Sequence, residues 1–306
     1  MLIVVVLGSA AGGGFPQWNC RCRVCEVARA EPHRAWPRTQ SGVAISADGR
    51  RWTLLNASPD IARQLERLPL PDSTEGSRVR PFDSIVLTDA ELDHTLGLPL
   101  LRQAGNMQVY CTLAVRDVIA GRSGLLDLVR PFSDVGVHLL SLDTPVEPVT
   151  GAGAPAGFSI EAFAVAGHPP RFVHGTQAPG LVIGLLVTDN DSRRTLAYVP
   201  SCGAIDEKLR ARLASADAVL FDGTFWYDHE MHPVVPGART AREMGHVPVD
   251  GPDGSLAMLR ALPASHRLYV HINNTNPMLV EDSAERRVVQ DAGVVVGYDG
   301  LQIILT

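Results

Sequence analysis

Apolar residues in this chain come in short blocks, broken by Gly, Pro, Asp and Asn. Blocks of that length read as strands rather than long helices. Residues 2–7 are continuously apolar and predict a buried strand, followed by a Gly-rich loop over 8–19. Residues 42–46 and 52–56 predict two strands paired around the Asp48-Gly49 turn. Further strands are expected at 84–88, 109–111, 159–164, 181–187, 195–199, 218–221 and 268–271. A hairpin is expected at 294–297 and 301–305, around Asp299-Gly300. Helical patterning marks 61–68, 92–103, 113–119 and 205–213, and 69–81 reads as a polar, Pro-bearing loop. Strands outnumber helices, and the helices are interspersed among them. That pattern suits an α/β fold of two sheets flanked by helices. With no repeat, low-complexity stretch or linker, one domain over 1–306 is the simplest organisation.

Composition narrows the functional classes. The chain has 306 residues, 45% hydrophobic and 20% charged, ordinary for a globular protein with a large core. A net charge of −6 gives no basic surface for nucleic acid or an anionic membrane. The apolar start lacks a positive leader and meets Gly8 at once, so it reads as a strand rather than a signal peptide. No apolar run is long enough to insert in a membrane. The expected location is therefore cytoplasmic.

Thr88-Asp89-Ala90-Glu91-Leu92-Asp93-His94 follows the apolar run 84–87, and Tyr269-Val270-His271 ends another. Adjacent Asp93 and His94 can reach one ion only where the backbone turns. His271 would complete a set of two imidazoles and one carboxylate. Those three ligands form the facial triad of non-haem iron sites, with open positions for oxygen and substrate. They can equally hold zinc with an open position for water. Alternatively, Asp89 and Asp93 cap the following helix and His94 packs in the interior.

Cys20-Arg21-Cys22-Arg23-Val24-Cys25 places three of the five cysteines within six residues. The odd count and the clustering argue for metal rather than disulfides. A structural zinc tying down residues 18–34 is expected, with a fourth ligand to be found among His33, Cys202, His229, His232 and Asn274. Cys111 reads as a core residue. Asp222 ends an apolar run, where it can orient a ligand histidine or cap a turn. Asp228, His229, His232 and His246 are polar groups able to serve as acid, base or substrate contact, or plain surface groups. The amides of Asn273, Asn274 and Asn276 suit turns or contacts to substrate or zinc.

Taken together, these strings resemble the coenzyme PQQ synthesis protein B family of the metallo-β-lactamase superfamily. The resemblance covers essentially the whole chain. It rests on the string from Gly8 through Gly12-Gly13-Gly14-Phe15-Pro16-Gln17-Trp18-Asn19 to Cys20, on the cysteine cluster, on 88–94 and on 269–277. It implies an αββα four-layer sandwich. It also implies a bacterial cytoplasmic role in making pyrroloquinoline quinone (PQQ) from a peptide carrying cross-linked Glu and Tyr. The superfamily's usual metal string is H-x-H-x-D-H, and Asp89 and Glu91 stand here in place of its first two histidines. His168 falls where its third-motif histidine lies, and Ser201 where its bridging aspartate lies. A related phosphodiesterase completes its cysteine zinc with a histidine three residues past the last active-site histidine. Here that position is Asn274. Losing those ligands leaves Asp93, His94 and His271 as a mononuclear site for Fe(II) or zinc. The expected catalytic candidates around it are Asp89, Glu91, His168, Asp222 and His246. The resemblance points to iron- and oxygen-dependent hydroxylation of a tyrosine-derived precursor. The alternatives are a carrier for PQQ or its precursor and a metal-dependent hydrolase. The expected partners are that precursor and other PQQ biosynthesis proteins.

Overall fold

The computed structural model describes residues 1–72, 79–150, 153–173 and 178–306. The loop expected over 69–81 therefore lies partly outside the described residues, at 73–78. The first six strands are β1 (Leu2–Gly8), β2 (Gly42–Ser46), β3 (Trp52–Leu55), β4 (Phe82–Val86), β5 (Asn106–Cys111) and β6 (Asp134–Leu139). The next seven are β7 (Pro145–Val146), β8 (Phe158–Ala164), β9 (Ile183–Asp189), β10 (Thr195–Val199), β11 (Ala218–Asp222), β12 (His266–Val270) and β13 (Val295–Val296). The last, β14 (Gln302–Leu305), returns to the edge of the first sheet.

The spatial orders are β14-β1-β2-β3-β4-β5-β6 and β13-β12-β11-β10-β9-β8-β7. Strands β3 to β6 run parallel, as do β10 to β13. Parallel sheets need cover on both faces, and the side chains divide accordingly. Leu2, Val4 and Val6 of β1 point between the sheets, where they meet Leu196, Tyr198, Leu220 and Leu268. Ile3, Val5 and Leu7 point outward to a helical layer that includes Val115, Leu125 and Val129. On the far side, Ala197, Val199, Val219 and Phe221 face Val24, Cys25, Leu209 and Val289 from other helices. Three apolar interfaces between four layers make the αββα sandwich. They also explain why so many strands are apolar on both faces.

One strand pairing departs from expectation. Residues around Asp299-Gly300 do not close a hairpin, because β13 pairs with β12 in one sheet and β14 with β1 in the other. The turn carries the chain across the sandwich, held by Ser9 and Thr39 on the Asp299 carboxylate. The helix expected over 92–103 is split into Leu92–Thr95 and Gly97–Leu100. Gly97 sits so close to the Ala57 backbone that a Cβ there would lie 2.7 Å from its carbonyl. No helix among the described residues is long and apolar enough to cross a membrane.

Candidate metal centre

The site lies beyond the carboxyl ends of parallel strands, where backbone groups diverge and side chains can converge. After β4, the Thr88 amide is held by Asn56 Oδ1 at 2.9 Å, and the chain turns. Asp89 drives that turn by accepting the Glu91 N–H at 2.9 Å. The same carboxylate takes His94 Nδ1 at 2.8 Å, deep in the interior. Fixing the Nδ1 proton leaves His94 Nε2 as a lone-pair donor. That atom is buried and has no hydrogen-bond partner. An orphaned, buried imidazole nitrogen flanked by a carboxylate and a second imidazole fits a metal cation.

The second imidazole comes from the residue that follows β12. His271 adopts a left-handed backbone with φ 54°, a conformation that costs a non-glycine residue on the order of 1–3 kcal/mol. The bend is held on both sides. Thr224 Oγ1 lies 2.8 Å from the His271 carbonyl, and Ile272 N donates to Ser9 O at 2.9 Å. His271 Nε2 then sits 3.1 Å from Asp93 Oδ2. Ligand atoms of Asp93, His94 and His271 all lie within 4.8 Å of one another. The Gly-rich loop supports this face: Ala11 N donates to Ile272 O, and Gly12 packs against the Asp93 carboxylate.

Charge in the site is strongly negative. Burial pushes the Glu91 carboxyl up to about 7, with Asp89 and Asp93 adding to it. Burial alone would lower His94, but Asp89 and Asp93 outweigh it and raise the imidazole to about 9. Partial burial would raise Asp93, yet His94 and the His271 hydrogen bond hold it well below the usual carboxylate range. A cluster that stabilises positive charge on its own histidine also favours a divalent cation.

Asp222 ends β11 and is wholly buried. Its Oδ1 accepts from Thr224 N at 3.0 Å and lies 2.6 Å from Thr224 Oγ1. Its Oδ2 accepts from Cys202 N at 2.9 Å and His246 Nδ1 at 2.7 Å. Asp222 thus caps its turn and orients His246 at once. The His246 ring stacks on His271 with centroids 5.4 Å apart. Asp222, His246 and His271 also offer ligand atoms within 4.8 Å of one another. Thr224 and the hydrogen bonds on both Nδ1 atoms fill that space. His168 is exposed and packs against Gly245, next to His246, and is not among the described ligand groupings.

The three clustered cysteines place their sulfurs within 4.8 Å of one another. Cys22 caps the helix Arg23–Ala30, accepting from Cys25 N. Arg29 pins the loop by donating to the carbonyls of Cys20 and Gln17 at 2.6 Å each. Hydrogen bonding from Cys22 is the main influence lowering Cys25 to about 6, with burial opposing it and the Asn274 amide assisting. Thiolate character at a helix start suits a metal. Of the fourth-ligand candidates, Asn274 reaches the cluster, with Nδ2 3.3 Å from Cys25 Sγ and a buried, unpartnered Oδ1. His33, His229 and His232 are exposed. Cys202 Sγ instead bonds to the Ala204 carbonyl at 3.3 Å.

Comparison with known proteins identifies the family and the fold. Residues 51–272 match the beta-lactamase superfamily domain. The coenzyme PQQ synthesis protein B of Methylococcus capsulatus (strain Bath) is 41% identical over 307 residues, spanning 99% of this chain and 100% of the relative. The chain belongs to the coenzyme PQQ synthesis protein B family. Another member, from Cupriavidus necator, is 41% identical and covers 100% of both chains. A crystal structure of zinc-bound PqqB from Methylobacterium extorquens superposes with a TM-score of 0.89 at 40% identity, covering 99% of this chain and 100% of that one. A diphosphatase from the PhnP family shares the fold, with a TM-score of 0.66 at 20% identity over 100% of this chain and 98% of that one.

Sequence reasoning did not find Thr224, Asn56 or Glu230. Thr224 and Asn56 orient the site through single hydroxyl and amide groups, types too common along a chain to stand out. Glu230 is a buried carboxyl that accepts from the Trp226 backbone and the Thr275 hydroxyl. Its isolation in the sequence gave no signal.

Proposed function

We propose that this protein acts in PQQ biosynthesis as a mononuclear iron(II), oxygen-dependent hydroxylase of a tyrosine-derived precursor. One observation carries the reading. Asp89 spends its carboxylate on His94 Nδ1, so three metal-facing groups remain: Asp93 Oδ2, His94 Nε2 and His271 Nε2. Two imidazoles and one carboxylate match the facial set used by iron oxygenases. Ferrous iron held there supplies redox chemistry and open coordination positions. The PQQ names of the relatives and the zinc-bound structure of one of them support the pathway and metal binding in this family.

The protein's own groups have distinct tasks in this reading. Asp89 fixes the His94 tautomer and orientation. Asp222 holds the His246 Nδ1 proton, so Nε2 is the atom that exchanges a proton with substrate. Glu91 carries a carboxyl poised near neutrality beside Asp93, and a bound cation would draw it toward the carboxylate form. Cys20, Cys22 and Cys25 hold a structural zinc, with Asn274 closing the cluster. Each hydroxylation puts one atom of dioxygen into the ring. The other leaves as water, with two electrons and two protons from a reductant.

The test is turnover of a tyrosine-containing precursor by iron-loaded protein, with and without oxygen, and by His271→Ala. Oxygen-dependent product that vanishes in the variant is the expected result. Equal turnover under strict anaerobiosis would mean hydrolysis instead. Tight precursor binding without turnover by any form would mean a carrier.

A further inference from the structure

The two imidazoles of the triad are oriented by different means. His94 rests directly on a carboxylate, whereas His271 rests on a hydroxyl. Thr224 Oγ1 is buried and lies 2.8 Å from His271 Nδ1, 2.6 Å from Asp222 Oδ1, 2.8 Å from the His271 carbonyl and 3.2 Å from His246 Nδ1. A hydroxyl has one proton and two lone pairs. Both acceptors nearest to it, the Asp222 carboxylate and the His271 carbonyl, draw that proton away from the ring. The oxygen is then left to accept, so His271 Nδ1 carries a proton. Nε2, 3.1 Å from Asp93 Oδ2, is then the nitrogen left to meet a cation.

We infer that Thr224 is the positioning residue of the metal centre. Its hydroxyl sets the His271 tautomer, and it makes Asp222 the shared anchor of His271 and His246. The inference rests on the reading of Asp93, His94 and His271 as metal ligands. Geometry distinguishes this role from simple packing. A methyl group in place of the hydroxyl keeps the shape and removes both the acceptor that selects the tautomer and the O–H that Asp222 and the His271 carbonyl share. With that acceptor gone, nothing adjacent favours the proton on Nδ1 over Nε2. The ring also loses the contact that ties its plane to the strained turn at His271.

The experiment is Co(II) binding to protein whose cysteine zinc is kept loaded, measured by chelator competition and by the visible d–d spectrum. Thr224→Val, Thr224→Ser and wild type are compared, with Thr224→Ala in place of valine where that variant fails to fold. Wild type should show one Co(II) site that His94→Ala removes. Removing the hydroxyl should weaken that site about 10- to 100-fold, the usual cost of losing a partner behind a ligand, and change its d–d bands. Serine, which restores the acceptor, should return both affinity and spectrum to within about threefold of wild type. An unchanged affinity and spectrum without the hydroxyl overturns the role of Thr224 alone. Wild type with no Co(II) site sensitive to His94→Ala overturns the ligand reading and this inference with it.

Discussion

Single residues carry most of the unusual energetics here, and Glu230 is the clearest case outside the triad. Burial pushes its carboxyl up from an ordinary 4.5 to about 8, against the hydrogen bonds from Thr275 and the Trp226 backbone. The folded state therefore holds a proton that the unfolded chain releases near 4.5. Between those values the native state binds more protons than the unfolded one, so stability falls as pH rises. The contribution is fully present below about 4.5 and is lost through about 8. Glu230→Gln, which mimics the protonated form, should flatten that slope and raise stability at pH 8.5 by on the order of a few kcal/mol. Denaturant melts at pH 5.5 and 8.5 would check it, and parallel slopes for variant and wild type would refute it. At this scale, the sequence was most legible where chemistry is concentrated. Asp93-His94 and the cysteines stood out by their short spacing and His271 by ending an apolar run, and the structure brings the ligand atoms of each group within 4.8 Å of one another. The roles of Asp89 and Asp222 were open, since a carboxylate beside a turn serves as a cap as easily as a ligand partner. Both carboxylates do both jobs at once, which no spacing rule separates.

Elements show a similar division. Strands at 2–7, 42–46, 84–88, 195–199 and 218–221 were legible because sheets covered on both faces leave apolar runs. Strand β6 was missed because its residues are half-buried or exposed and mix Asp, Gly and His with Val. The hairpin at the end failed because pairing partners are chosen by the whole sandwich, and Asp299-Gly300 supplies a turn without dictating which sheet follows it. The segment 18–34 read as a loop, yet it holds the helix Arg23–Ala30, whose first turn is capped by Cys22. A metal held there and the helix would reinforce each other, since Cys22 and Cys25 sit at the positive helix start. Cys25→Ser should remove about one zinc per chain and lower the melting temperature by on the order of 5 °C or more. Metal analysis beside a thermal melt gives the answer, and full zinc content in the variant would rule out the cluster as a zinc site.

Across the whole molecule, the two candidate metal positions are not independent. One segment after β12 supplies His271 to the triad and, three residues later, Asn274 to the cysteines. That segment is tied to the Gly-rich loop through Ser9 and Ala11, to β11 through Asn276 and the Gly223 carbonyl, and to the 226–231 region through Thr275 and Glu230. The four-layer arrangement places these pieces at one edge, beyond the ends of β4, β11 and β12, while the three apolar interfaces hold the scaffold rigid. The central claim is a mononuclear iron site on Asp93, His94 and His271 beside a separate cysteine zinc. Its most direct test is metal content per chain in protein grown with iron and purified without oxygen, for wild type and His94→Ala. Wild type should hold about one iron and one zinc, and the variant should lose the iron while keeping the zinc. Wild type with zinc on the cysteines and no second metal, or iron retained by His94→Ala, would contradict the account.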